Sequence, residues 1–387
     1  RCGTKTEPLI SKQWYAKTTE LAKPAMTAVR TGHIKIIPKH FEKVFFHWME
    51  NIHDWCISRQ LWWGHRLPVW QCQTGQNNKL QNSNFKSERN YFVARKRPEE
   101  CPICGECKMT QATDVLDTWF SSSLWPITTL GWPTQTEDLD YFYPTTVRET
   151  GYDILFFWVA KEIMMCMEMT GKIPFRKVYL HGLVRDTEGR KFSKTKGIGF
   201  DPLAIIEKYG ADALRMALVI GNAPGTDLKI DEDKVRGYRN FANKLWNLGR
   251  FFDYNLTKNE YKNYNDLPIY SNELESLSSK DKEIVLDLET LIKKIDKYFE
   301  KDRYDLAAEA IYQFVWHRFA DEYIEYSKDA LYGENERKKK ATLSVIRHVY
   351  YNILKLLHPF TPFITEELWQ RFPHETDTPL IVSKWPT

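Results

Sequence analysis

The sequence predicts an α/β domain followed by an all-helical bundle, and three stretches carry that expectation. Residues Val178 to Val184 form an apolar run, a turn follows through Asp186, Glu188 and Gly189, and Asp201-Pro202 opens a helix toward Tyr209. Strand, loop and helix in that order are the building unit of an α/β sheet. Upstream, a helix opened by Glu149-Thr150-Gly151 and continuing through Trp158 to Met169 is apolar around nearly its whole circumference, as one buried against a sheet must be. Beyond residue 233 the apolar residues recur only at helical spacing: Val235, Tyr238, Phe241, Leu245 and Leu248, then Ile284, Leu288, Leu291, Ile295 and Tyr298. Domains are therefore expected at 1–232 and 233–387.

With 387 residues, the chain can bury two or three separate cores. Hydrophobic residues at 42% against 27% charged exclude a disordered class. A net charge of +4 permits a nucleic-acid partner without requiring one. Seven cysteines, an odd number with no paired framework, point to a reducing compartment. The apolar stretch Ile154 to Val159 is soon interrupted by Lys161 and Glu162, so no membrane span is expected. Opening at Arg1 instead of a methionine, the sequence reads as part of a longer chain that begins mid-domain.

Taken in order, Leu21 to Val29 reads as a short helix. In the run Phe45 to Trp70, residues Trp48, Ile52 and Trp55 fall at helical spacing, with His47, Asn51 and Asp54 on a polar flank. Most of these tryptophans suit a core. Ser58-Arg59-Gln60 and Trp62-Trp63-Gly64-His65-Arg66 do not. A polar stretch, 73–100, separates Cys72 from Cys101-Pro-Ile-Cys104-Gly-Glu-Cys107. Only the pair Cys101 and Cys104 has the full spacing of a zinc knuckle; an insertion at 72–107 is expected to hold zinc through these two and Cys72, with Cys107 or water as the fourth ligand, and the alternative is a turn kept without its metal. Asp114 to Ser122 reads as a short strand ending in small hydroxyl residues, beside which Trp119 presents a flat apolar wall.

The loop after the Val178 strand holds five basic residues, Arg185, Arg190, Lys191, Lys194 and Lys196, against two acidic ones, with Ser193 and Thr195 as donors and Gly189 and Gly197 at its edges. Such a loop can close over an anion; the plainer alternative is a solvated turn. Asp201-Pro202 is a helix cap, and Gly210 separates two helices. Further helices are expected over Ala307 to Ser327, Ala341 to Leu357 and Ile364 to Arg371, with 254–282 as a surface connection. The prolines of HPFTPFITEELW are expected to turn Phe360 and Phe363 into the core.

KFSKT (Lys191 to Thr195), in its frame from His181-Gly182 to Asp201-Pro202, resembles the lysine-serine-lysine signature of class I aminoacyl-tRNA synthetases. DVLDTWFSS (Asp114 to Ser122) with LWP resembles most closely the valyl members of that family. RNFANKLWN (Arg239 to Asn247) and HPFTPFITEELW (His358 to Trp369) look like its anticodon-binding domain. The resemblance implies the second half of a Rossmann-like catalytic domain, then a helical anticodon-binding domain. It implies that a valine carboxylate attacks the ATP α-phosphate, and that the adenylate passes to the terminal ribose of tRNA(Val), with Mg2+ accompanying ATP.

By the same resemblance Lys191, Ser193 and Lys194 meet the phosphates, while Gly151 and Asp153 border the nucleotide. Trp119, Ile154 and Trp158 wall the amino-acid pocket, and Arg59, Arg66, Arg236 and Arg239 face tRNA, with Lys244 a weaker candidate. Phe192, Thr195 and Ile198-Gly199-Phe200 depart from the family's usual loop. The paired-histidine nucleotide motif and an editing domain are absent from these residues. That absence favours as one alternative a catalytically inactive, synthetase-derived tRNA-binding protein; within the class the nearest alternative is an isoleucyl relative. A monomer with no membrane partner is expected, in the cytoplasm or, as the alternative, the mitochondrion.

Overall fold

The computed structural model describes residues 5, 7, 10–72, 91–101, 109–192, 197, 199–261, 266–271, 274–372 and 378–387. Contacts divide the chain into two units, Arg1–Leu180 and His181–Thr387. The division falls within the strand Phe175–His181, so the basic loop belongs to the unit that contains the helical bundle.

In the first unit, strand Phe175–His181 lies between Lys35–Ile37 and Thr145–Gly151. It runs parallel to Lys35–Ile37, with Val178 opposite Ile36. Helices Thr18–Arg30, Phe41–Glu50 and Lys161–Thr170 cover this sheet, and Ala25, Ile34, Phe45, Val159, Ile163 and Val178 meet in one core. The helical spacing of Trp48, Ile52 and Trp55 is not realised, because the helix stops at Glu50. Trp55 instead joins a two-residue strand paired with Tyr15–Ala16. The competing bonds are specific: its indole N–H donates to Asp117 (2.9 Å), and the Thr18 hydroxyl donates to the His53 carbonyl (2.8 Å).

Two further expectations are corrected here. Glu149-Thr150-Gly151 ends the strand Thr145–Gly151 and does not open a helix, consistent with the run Thr145-Thr146-Val147, whose branched side chains favour extended backbone. The chain then passes through a 3-10 turn, Tyr152–Ile154, and a wide π-helical segment, Leu155–Ala160, before Lys161–Thr170. Asp114 to Ser122 is strand only at Val115–Leu116, and Thr118–Ser123 is helical. A small antiparallel sheet, with Val69–Cys72 between Tyr91–Val93 and Met109–Gln111, completes the unit.

The second unit begins with a parallel pair, Val184–Arg185 and Leu228–Lys229. Helix Pro202–Tyr209 is capped by Asp201 as expected, and Gly210 leads into Ala211–Val219. The bundle comprises Glu232–Lys258, Ser279–Glu300, Tyr304–Gln313, the π-helical Phe314–Tyr323, Ile324–Tyr332, Glu336–Leu357 and Pro362–Arg371. A reciprocal cap at Ser278 and Asp281 starts the second of these. One large core runs through them, built on residues such as Phe241, Leu245, Leu288, Ile311, Val349 and Leu357.

The connection before Ser279 is not wholly surface. Leu267 is buried, and Arg347 donates to the carbonyls of Leu267 (3.3 Å) and Pro268 (2.9 Å). Phe360 enters the core but Phe363 is 66% exposed. Helix Pro362–Arg371 turns Thr365, Leu368 and Trp369 inward, and Phe363 lies on the other face. Among the described residues no helix is long and apolar enough to cross a membrane.

Candidate functional site

Gly151 is buried at the end of its strand, and Asp153 is exposed in the turn that follows. Ile154 and Trp158 are half-buried, one before and one within the wide turn. Trp158 donates its indole N–H to the Ser122 carbonyl (3.1 Å), and its ring centroid lies 6.3 Å from that of Trp119. Two of the three expected wall residues are thus brought together. The Arg148 guanidinium lies 4.0 Å from the Trp158 ring centroid and donates through Nε to both carboxylate oxygens of Glu162 (2.9 and 3.2 Å). Burial pushes the Glu162 carboxyl up to about 7, opposed by Arg148. Ser122 Oγ and Arg148 Nη2 are buried without a hydrogen-bond partner, leaving polar atoms unsatisfied close to Trp158.

Trp119 also borders a cavity of about 380 Å3 walled by Trp48, Ile52, Trp55, Phe156 and Phe157, with Asp54, Arg59, Asp117 and Lys161 as its charged groups. Ile154 and Trp158 do not line it. The Lys161 ammonium sits 4.0 Å from the Trp55 ring centroid. Burial draws its pKa down to about 8, with Asp117 opposing and Arg59 assisting. In the sequence, Lys161 and Glu162 served only to interrupt an apolar run. That interruption was itself the signal, since a charged pair inside a helix otherwise buried must have partners.

Arg59 donates to the carbonyls of Cys56 (2.9 Å) and Ser58 (2.8 Å) and pairs with Asp117 (3.2 Å). Arg66 donates to the carbonyls of Ala112 (3.0 Å) and Gln111 (3.4 Å). Both guanidinium groups therefore brace the backbone of their own unit. Cys72 and Cys101 meet in a small buried cluster with Met109. Cys104 and Cys107 lie outside the described residues. Among the described residues, no group of three or more His, Cys, Asp or Glu side chains is placed to hold a metal ion.

In the second unit the stem of the basic loop is well defined. Lys191 bridges to Arg185, the Phe192 N–H donates to Val184 (3.2 Å), and the Phe192 ring packs edge-on against Phe200 at 5.2 Å. Arg185 pairs with Asp227, and Arg190 pairs with Asp186 (2.7 Å) and Glu188 (3.0 Å). Two of the five cations thus fasten the stem. Ser193 and Lys194, with Thr195 and Lys196, lie outside the described residues.

On helix Glu232–Lys258, Arg236 pairs with Asp233 (2.9 Å), and Arg239 donates to the Lys208 carbonyl (3.3 Å). Lys244 pairs with Asp321 and lies 4.7 Å from the Trp316 ring centroid. Beside it a pocket of about 480 Å3 is lined by Asn240, Asn243, Asn247, Phe251 and Trp316. The signal for these asparagines is their spacing along RNFANKLWN, which puts all three on one helix face.

Residues 3–231 match the family described as tRNA synthetases class I (I, L, M and V), and residues 281–387 match the anticodon-binding domain of tRNA ligase. The chain belongs to this class I synthetase family, with an α/β catalytic part followed by a helical anticodon-binding region. It is 49% identical over 386 residues to the valine–tRNA ligase of Clostridium tetani, covering 100% of this chain and 42% of that protein. With the valine–tRNA ligase of Clostridium acetobutylicum it shares 47% identity over 387 residues, covering 100% of this chain and 42% of the other. The chain thus spans less than half the length of these relatives. Methionyl-tRNA synthetase from Mycobacterium tuberculosis, in complex with methionyl-adenylate, has the same fold: TM-score 0.69, 19% identity, 92% of this chain and 62% of that one. The Agrobacterium radiobacter leucyl enzyme in a ternary complex gives TM-score 0.65 and 21% identity over 90% of this chain and 45% of that one.

Proposed function

We propose that this chain is the second half of the catalytic domain, with the anticodon-binding domain, of a valine–tRNA ligase that as a whole activates valine with ATP and transfers it to tRNA(Val). The observation that carries the reading is the match along the whole chain, at 49% identity, to a protein of that name. The contact between Trp119 and Trp158 supports it locally, because two rigid rings make a wall that suits a short branched side chain and leaves little room for a longer one. Ile154 is assigned the third wall. Gly151 keeps the strand end free of a side chain, and the exposed Asp153 carboxylate suits a ribose hydroxyl or Mg2+. ATP supplies the leaving pyrophosphate; this chain's residues position the reactants and meet the charge that develops.

Lys191 and Lys194 are assigned to that charge, with Ser193 as a donor, on a loop whose stem is fastened by Phe192 and Phe200. The asparagine-lined pocket with Phe251 and Trp316 suits an unpaired base: aromatic faces stack, and amides read its edge. Arg236 and Arg239, beside it on the same helix, suit phosphates. Arg59 and Arg66 are assigned to tRNA phosphates as well, their guanidinium groups held in place by the carbonyls described above. A zinc ion at Cys72, Cys101, Cys104 and Cys107 completes the proposal; the first two thiols share one buried cluster.

The test uses the protein that carries this chain. Lys194→Ala is expected to depress valine-dependent ATP–pyrophosphate exchange by on the order of 100-fold while tRNA affinity stays nearly unchanged, with Lys191→Ala similar but milder. Exchange at the wild-type rate in Lys194→Ala would remove the loop from the chemistry.

A further inference from the structure

We propose that Arg148, held by the buried Glu162 carboxylate, is a positioning residue for the amino-acid pocket, its flat guanidinium fixing the Trp158 ring that walls it; this rests on the ligase reading above. Trp158 lies in the wide turn Leu155–Ala160 and not in a regular α-helix. The torsion that turns an indole on its stem has a broad minimum, so the ring's angle is set by what touches it. Two contacts do so. The Ser122 carbonyl accepts from the indole N–H (3.1 Å), which pins one edge, and the Arg148 guanidinium carbon stands 4.0 Å from the ring centroid, which covers one face.

An ion pair alone would use the guanidinium differently. Arg148 reaches both Glu162 oxygens through Nε alone (2.9 and 3.2 Å), without the two-armed fork that this kind of pair commonly adopts. Its Nη1 donates to the Glu149 carbonyl (2.7 Å), and Nη2 is buried with no hydrogen-bond partner among the described residues. One buried donor thus goes unused, which is unfavourable, while the guanidinium keeps its place over the indole. The Arg148 side chain is 12% exposed and that of Glu162 0%, so the contact is largely shielded from water, where a cation and a ring attract most strongly.

These contacts tie three elements to one ring. Arg148 stands in the strand Thr145–Gly151, Glu162 in the helix Lys161–Thr170, and Ser122 in the helix Thr118–Ser123 that also carries Trp119. The Trp119 centroid is 6.3 Å from that of Trp158, and the Trp125 ring borders the same guanidinium at 5.6 Å. A hydrophobic pocket separates two side chains that differ by one methylene by only roughly 10- to 200-fold. That margin needs a wall that does not yield. A Trp158 ring free to turn would touch valine less closely and make room for the longer isoleucine, so the guanidinium protects selectivity without meeting the substrate.

The experiment follows ATP–pyrophosphate exchange by the protein carrying this chain, with valine and with isoleucine. Arg148→Met/Glu162→Gln roughly keeps the volume and leaves no buried charge without a partner, so the fold is expected to hold. In it KM for valine is expected to rise, and the preference for valine over isoleucine in kcat/KM to fall, each by about 10-fold, while KM for ATP stays unchanged and kcat with valine stays within about 3-fold. Arg148→Lys keeps a charge beside Glu162 but has no plane to lay on the indole, so it is expected to lose preference as well, at a wild-type melting temperature. Wild-type preference in either variant would overturn the proposal, and so would an equal rise in KM for ATP, which marks a general disturbance of the site. Valine-dependent exchange by the wild type judges the ligase reading separately: its absence removes that reading and the proposal with it, whereas unaltered preference in active variants removes the proposal alone.

Discussion

A methyl group added at Gly182 would stand 1.7 Å from the backbone carbonyl oxygen of Thr226, with no flexible side chain to give way. Gly182 precedes the pair Val184–Arg185 and Leu228–Lys229, and Asp227 accepts from the Leu183 N–H (2.8 Å), so the stem of the basic loop is built on this approach. Gly182→Ala is expected to destabilise the second unit by at least about 2 kcal/mol, read as a lower urea midpoint. An unchanged midpoint would show that the approach can relax. His348 gives a pH signature. Its ring lies 4.8 Å from Tyr270, and burial, with Lys355 and Arg347 adding to it, draws its pKa from 6.5 down to about 4. Between those values the unfolded chain binds the proton more readily, so stability present above pH 6.5 is lost as pH falls through 4, by at most about 3 kcal/mol. His348→Phe should remove that acid sensitivity, and an identical pH dependence in the variant would contradict the assignment. Neither residue's role was legible beforehand, because Gly182 depends on a backbone distant in sequence and His348 on what buries it. Asp201 was legible, since a cap is a local interaction.

At the scale of elements, the helices were read well and the strands less so. A bundle announces itself through a repeat sustained over many residues, whereas Val115–Leu116 and Val184–Arg185 are too short to carry any period. The turn from Thr145–Gly151 through Leu155–Ala160 was misread because its apolar content fits a buried helix as well as a strand leading into a wide turn. Trp55 left its apparent helix for a bond to Asp117 that no local pattern predicts. The cysteine segment offers a direct test. Two buried thiols in one cluster, with two more in the same short sequence, should hold about one zinc per chain. Elemental analysis beside a Cys101→Ser variant decides it: metal lost together with a lowered melting temperature supports the site, and a zinc-free wild type with identical melting refutes it.

For the molecule as a whole, composition limited the possibilities and ordered motifs did the identifying. Charge of +4 would suit many proteins; KFSKT, DTWFSS, RNFANKLWN and HPFTPFITEELW in one order suit few. The chain's family and its two-part architecture follow from matches over residues 3–231 and 281–387. What the sequence left open was which cations are already engaged, as Arg59, Arg66, Arg185 and Arg190 prove to be, and which aromatic residues stand in water, as Trp62 and Trp63 do. Both depend on partners brought together only by folding.

The proposed reaction depends on valine as the amino acid activated. A hydrophobic wall excludes a larger side chain by clash but distinguishes an isosteric hydroxyl by only roughly 100-fold. ATP–pyrophosphate exchange by the protein carrying this chain, measured with valine, threonine and isoleucine side by side, is therefore the most direct measurement. Valine is expected to be best, threonine measurable and isoleucine nearly inert. Isoleucine outperforming valine would contradict it, and no exchange with any of the three would leave an inactive tRNA-binding relative in its place.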